Sequence, residues 1–179
     1  MKFKTKNGFT LLELLVSALI LSAVLSIFFG VSVSSLRSFE AAKQRYLAAK
    51  IAQEGIELAV NKRDNNLLCI DSGCPHITNW QEKLIGSFEV DATETNRLLA
   101  NQTFKVYDPT NYLCLIDSGP IAGMFSYCGN PNKYIYGNFR REVNISAIDG
   151  DKILVKSRVD WETRGTLKSL ILEEMLFGP

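Results

Sequence analysis

From Phe9 to Val33 the chain is apolar or small at every position except Glu13. As a helix this run is about 37 Å long at about 1.5 Å per residue, enough to cross a hydrocarbon core of roughly 30 Å. From Ser34 to Asn61 no proline intervenes, and Ala, Leu, Glu, Lys and Gln dominate, so the same helix is expected to continue to about residue 61. At 100° per residue Lys43, Lys50, Glu54, Glu57 and Asn61 share one side. Ala48, Ala52, Gly55 and Ala59 occupy the other, flanked by Ile51, Ile56 and Leu58, which predicts an amphipathic half packed by its small residues against a domain. Lys62-Arg-Asp-Asn-Asn66 ends the helical pattern. Through Asp117 the chain then reads as irregular, with Pro75, Pro109 and many Asn and Asp turn positions, and with a short helix expected within 87–100 around Leu98 and Leu99.

The last third alternates with period two. Val143, Ile145 and Ala147 interleave with Glu142, Asn144 and Ser146, and Ile153, Val155, Val159 and Trp161 interleave with Leu154, Lys156, Arg158 and Asp160. Asp149-Gly-Asp151 and Thr163-Arg-Gly165 supply hairpin turns, and 166–177 returns as a third strand. Residues 112–116 and 133–136 are candidate first strands. The expected fold class is α+β, a long N-terminal helix, transmembrane and then amphipathic, packed on a C-terminal antiparallel sheet. The expected organisation is 1–8 leader, 9–33 membrane helix, 34–61 amphipathic extension and 62–179 globular domain.

Composition agrees with this division, because 46% hydrophobic residues is more than the core of one small domain needs. The formal net charge is +1, but Lys2, Lys4 and Lys6 all precede the apolar run, so the remainder is slightly acidic. No basic stripe interleaved with aromatics is present, which argues against nucleic acid as a partner. The early lysines instead read as a positive-inside signal that holds the N-terminus in the cytoplasm and sends the domain across the membrane.

The cysteines, Cys69, Cys74, Cys114 and Cys128, all follow the apolar run, in the part expected outside the cytoplasm, where disulfides form. Four cysteines permit three complete pairings; the short loops favour Cys69 with Cys74 and Cys114 with Cys128 without deciding it. Zinc is disfavoured, since neither spacing is the Cys-x-x-Cys knuckle.

The start of the chain carries the functional signal. Met1-Lys-Phe-Lys-Thr-Lys-Asn-Gly8 is basic and ends in glycine, and Phe9-Thr-Leu-Leu-Glu13-Leu-Leu-Val16 opens the apolar run directly. A secretory signal places its small-residue cleavage site after the apolar stretch, and no such site follows Val33. These residues resemble the leader of type IV prepilins and pseudopilins. The resemblance implies that a membrane-embedded prepilin peptidase cuts after Gly8 and N-methylates Phe9. It further implies that the freed Phe9 ammonium pairs with Glu13 of a neighbouring subunit during assembly. Thr10-x-x-Glu13 also fits a capping box, which explains an acid in the first helical turn without any assembly role. The later strands, Trp161 and the closing Glu173-Glu-Met-Leu-Phe177 are similar to PilV-like minor pilins.

The resemblance implies a non-enzymatic subunit of a pilus-like or type II secretion filament, stored in the inner membrane and later extracellular. Its partners would be other pilin subunits, the peptidase and the assembly machinery, with adhesion among the possible roles. An anchored binding or adhesion domain with no filament role is the alternative. Catalysis has little support: His76 is the one histidine, and no nucleophile elbow, P-loop, zincin or EF-hand pattern occurs. No cofactor and no metal site is expected, although some pseudopilins bind calcium in C-terminal loops, which keeps Asp149-Gly-Asp151 in view. Asn101-Gln-Thr103 and Asn144-Ile-Ser146 match the N-glycosylation triplet, a pattern common by chance.

Overall fold

The computed structural model describes residues 10–72, 79–90, 104–115, 125–128 and 138–178. The chain divides into two compact units, Met1–Lys43 and Gln44–Pro179. One helix, α1 (Leu11–Asp71), contributes to both. The strands of the second unit are β1 (Gly86–Glu89), β2 (Lys105–Val106), β3 (Tyr112–Leu115), β4 (Phe125–Cys128), β5 (Arg140–Asp149), β6 (Lys152–Thr163) and β7 (Thr166–Phe177). They form a five-stranded antiparallel sheet in the order β2-β1-β5-β6-β7 and a separate pair, β3-β4. The fold is the expected α+β arrangement, with the second half of α1 packed on the larger sheet.

In the second unit α1 buries Ala48, Ile51, Ala52, Gly55, Ile56 and Ala59, the face expected from the small-residue stripe. Residues 141, 143 and 145 of β5 and 153, 155, 157 and 159 of β6 are buried in alternation, so one sheet face is turned to the core. The apolar core has two clusters. One gathers Ile56 and Ala59 with Val143, Ile145, Ile153, Val155, Trp80 and Leu84; the other gathers Ala48, Ile51 and Ala52 with Leu113, Phe139, Val159 and Trp161.

Between the clusters the buried face carries two polar residues, Arg141 and Ser157, and here the helix comes closest. A Cβ on Gly55 would lie 2.6 Å from Ser157 Oγ and 3.0 Å from both Arg141 Cδ and Val143 Cγ2. Arg141 is fully buried. Its Nη1 donates to Ile51 O at 3.0 Å and lies 3.6 Å from Glu54 Oε1, while its Nη2 donates to Val90 O. The Ile51 carbonyl has two lone pairs and can accept this bond beside its helical one. Tyr127 Oη donates to Arg141 O at 3.1 Å, and the guanidinium lies 5.9 Å from the Tyr127 ring centroid. Burial pushes the pKa of the Tyr127 phenol up, and the Arg141 charge acts in the opposite sense.

The helix does not stop at Asn61, as expected from the polar run that follows, but continues to Asp71. Tertiary contacts hold the extra turns. Asn66 is buried and its Nδ2 donates to Trp80 O at 2.9 Å and Glu82 O at 3.0 Å. Asn65 donates to Asn61 Oδ1 one turn back at 2.8 Å. Lys62 is nearly buried as well, and burial, followed by the nearby Lys83 charge, lowers its pKa. Polar composition therefore marked a helix end where specific polar contacts extend the helix.

Two further expectations need correction. Residues 87–89 belong to strand β1, paired with β5 through Phe88–Val143, and not to a short helix; 91–100 lie outside the described residues. The candidate strand at 112–116 forms as β3, but in the two-stranded sheet, linked to the larger one through the Leu113–Phe139 bridge. Residues 133–136 lie outside the described ones. The Thr163–Thr166 hairpin closes over Arg164 (φ 52°) and Gly165 (φ 72°), the two left-handed positions of a type I′ turn.

Gly55→Ala adds a methyl group where no room exists and is expected to destabilise the second unit by about 1–3 kcal/mol despite alanine's better helix propensity. In a Ser157→Ala background the nearest obstructing atom is gone, so the same substitution should cost less. Urea unfolding of the four proteins of this cycle measures both effects; an equal cost in the two backgrounds contradicts the close approach as its source.

Candidate assembly helix

In the first unit Thr10 starts the helix. Its carbonyl accepts the N–H groups of Glu13 at 3.0 Å and Leu14 at 3.2 Å, and its Oγ1 accepts from Glu13 N at 3.3 Å. This is the hydroxyl half of the expected capping box. The reciprocal half does not form: among the described residues the Glu13 carboxylate makes no hydrogen bond or ion pair. It lies exposed, in a shallow recess with Thr10, Val16, Ser17 and Ile20, residues spaced to share one helix face. Val16 and Ile20 were not singled out from sequence, although their three- and seven-residue distance from Glu13 is the signal that finds them.

The helix that follows has no protein covering. Leu11, Leu12, Leu15, Leu19, Leu21, Ile27, Phe28, Phe29 and Val31 are all exposed, and its most apolar 18-residue window is 0% buried. A helix this apolar and unpacked on every side is suited to lipid or to other helices. Its hydroxyls are satisfied internally: Ser17 donates to Leu14 O at 2.9 Å, Ser22 to Leu19 O, Ser26 to Ser22 O and Ser32 to Phe28 O, each at 2.8 Å. With no hydroxyl proton left over, these small residues can enter hydrocarbon and still let a second helix approach closely. Gly30 has nothing within 4 Å of a Cβ position, so no packing requires it.

Gly8 and Phe9, the expected cleavage and methylation positions, lie outside the described residues, as do His76 and Asn101. Cys114 and Cys128 form a disulfide between β3 and β4, with Cα atoms 5.9 Å apart. Cys69 is disulfide-bonded too; its expected partner, Cys74, lies outside the described residues. Asp149 Oδ1 accepts from Asp151 N at 2.9 Å and its other oxygen lies 3.5 Å from Lys152 Nζ, so this carboxylate serves its own hairpin turn. Among the described residues no three His, Cys, Asp or Glu side chains gather where a metal ion could bind. Asn144 Nδ2 donates to Ser87 Oγ at 2.7 Å inside the sheet.

A helix capped at Thr10, carrying one unengaged carboxylate in its first turn and otherwise apolar and uncovered, fits a membrane-anchored N-terminus. Residues 3–29 match the family model described as the prokaryotic N-terminal methylation motif, so this N-terminus is similar to that of type IV prepilins and pseudopilins. That motif implies processing by a prepilin peptidase and assembly into pilus-type filaments. No curated protein and no solved structure matches the chain.

Opening the Cys114–Cys128 bridge in a Cys114→Ser, Cys128→Ser double variant is expected to lower stability by about 3 kcal/mol, the chain-entropy value for a loop of this length. Denaturant unfolding reads the loss. Because the bridge acts on the unfolded chain, the slowest amides of β6 and β7, which exchange only through global unfolding, should exchange faster by the same free energy; unchanged exchange there would confine the contribution of the bridge to the β3-β4 pair.

Proposed function

We propose that the chain is a minor pilin or pseudopilin, a PilV-like structural subunit cut after Gly8 and N-methylated at Phe9. It waits in the inner membrane with residues 1–8 cytoplasmic and residues 62–179 outside, and it leaves the membrane for an extracellular filament of a pilus or type II secretion system. Glu13 is the assembly residue. The observation that carries this reading is the exposed, unengaged Glu13 carboxylate at the start of an apolar stretch whose serines, Ser17, Ser22, Ser26 and Ser32, all bond backward into the helix. A charge costs on the order of 2–3 kcal/mol at mid-membrane and less near a helix end, where Glu13 lies, and neither the distal sheet nor retention in lipid requires it. An ammonium at Phe9 of a neighbour would supply its partner as the helices bundle and water leaves.

The resulting subunit has no catalytic task. Its helix exchanges lipid for other helices, and the disulfide-bonded domain stays folded in the oxidising space outside, where it is available for adhesion.

Processing is tested by intact mass of protein recovered from a host with the peptidase. The expected mature chain begins at Phe9 with one added methyl group, and Gly8→Glu should abolish the cut. Recovery of the full-length chain alone would replace this reading with an anchored domain that never enters a filament.

Assembly is tested separately by Glu13→Leu, which should remain in the membrane with an unchanged circular dichroism melt for the domain, yet be depleted at least tenfold from sheared filaments. If Glu13 acts only at the helix start, the variant would incorporate normally and lose about 1 kcal/mol of local helix stability.

A further inference from the structure

Strand β7 is at the edge of the larger sheet, and its free side has no partner among the described residues. It is twelve residues long, pairs with β6 without a bulge, and contains no proline or glycine. Leu167, Ile171, Met175 and Phe177 on its outer face are 45–55% exposed. Edges of this length and flatness are usually blunted by charge, proline or a bulge, because they template pairing with another chain. We propose that β7 pairs antiparallel with β7 of a second copy, about a two-fold axis through Ile171, to form one continuous sheet.

Backbone parity and side-chain chemistry select this partner together. In a hairpin closed by a two-residue type I′ turn the flanking pair, Thr163–Thr166, is the hydrogen-bonded one. Even-numbered residues of β7 therefore turn their N–H and C=O groups to β6, and Leu167, Ser169, Ile171, Glu173 and Met175 turn theirs to the free side. Only a register that sets odd positions opposite odd positions uses these groups.

With Ile171 facing its own copy, Leu167 meets Met175, Ser169 meets Glu173 and Leu170 meets Leu172, each twice by symmetry. Lys168 meets Glu174, also twice. Both are exposed, and neither has a hydrogen bond or ion pair among the described residues, whereas Glu173 is already held by Lys156 at 2.8 Å. Moving the axis by one residue sets Leu170 against Glu174 or Lys168 against Leu172, so charge alone distinguishes the registers.

The axis is perpendicular to the sheet and reverses the helix segment 44–71 of one copy against that of the other. Neighbours within one polar filament run in one direction, so this contact suits copies presented by two different filaments or two facing membranes. That consequence rests on the anchored-subunit reading; the pairing itself does not.

The test uses the full chain reconstituted in lipid vesicles, with association read by vesicle clustering and, in detergent, by sedimentation. Wild type should cluster vesicles. Lys168→Glu alone and Glu174→Lys alone should each weaken association at least tenfold, while the double exchange restores it. Mixing the two single variants should also restore it, because each supplies the charge that the other lacks. Ile171→Cys should form an intermolecular disulfide on mild oxidation and Ser169→Cys should not, since only position 171 faces itself, at a Cα separation of about 5.5 Å. Monomeric wild type, or association unaffected by either single exchange, overturns the proposal. Vesicle flotation checks anchoring independently: a chain that dimerises in detergent but does not float refutes the anchor while leaving the pairing intact.

Discussion

A single buried guanidinium sets the geometry of the domain. Arg141 lies on the inner face of β5, beneath the closest approach of α1, where an aliphatic side chain could not have donated to the Val90 carbonyl or to the second lone pair of Ile51 O. Its two terminal nitrogens satisfy Ile51 O in the helix and Val90 O at the end of the β1 segment, and Glu54 lies close enough to offset its charge. The Tyr127 hydroxyl in turn donates to the Arg141 carbonyl, which links the small β3-β4 sheet to the same point. Such a charge is costly to bury and more costly to leave unpaired, so all these elements are held to one arrangement. Gly55 is the complement of this choice: the helix must pass Arg141 and Ser157 without a side chain of its own.

Polar groups play the same part elsewhere. Asn66 bonds the carbonyls of Trp80 and Glu82 and so fastens the turn after α1 to the helix end. Glu89, also buried, takes both oxygens to Asn111 Nδ2 at 2.9 and 3.1 Å and accepts from Asp108 N at 3.1 Å, which ties the segment before β3 to β1. Gln81 reaches Asp149 O at 3.1 Å and Gly150 O at 2.9 Å in the β5-β6 hairpin. The irregular middle of the chain, poor in periodic apolar residues, is positioned by these directional bonds more than by hydrophobic area.

The first unit follows the opposite rule. Among the described residues the apolar stretch of its helix has no side-chain bond to another element; the serines of that stretch bond backward into the same helix and its apolar side chains are exposed. Such a helix suits lipid and other helices equally, since nothing in it is specific to one apolar surrounding. Glu13 is the exception, an exposed carboxylate within the residues that match the methylation motif.

The helix from Leu11 through the apolar run was legible from the chain. Its properties are local: a capping threonine, a lone acid and an uninterrupted apolar run long enough to match a bilayer. The strands β5, β6 and β7 and their hairpins were legible for the same reason, because a period of two and a turn signal are written in neighbouring residues. The extension of α1 from Asn61 to Asp71, the strand at Gly86–Glu89 and the separate β3-β4 pair were not. Each depends on residues far apart in sequence. Asn66 reads as a helix breaker until Trp80 and Glu82 supply acceptors, and Phe88 reads as part of a short helix until Val143 offers an open strand edge. Arg141 reads as a surface residue of an alternating strand, and only the crossing helix, with its glycine and its free carbonyl lone pair, makes the interior the place where that charge is best satisfied.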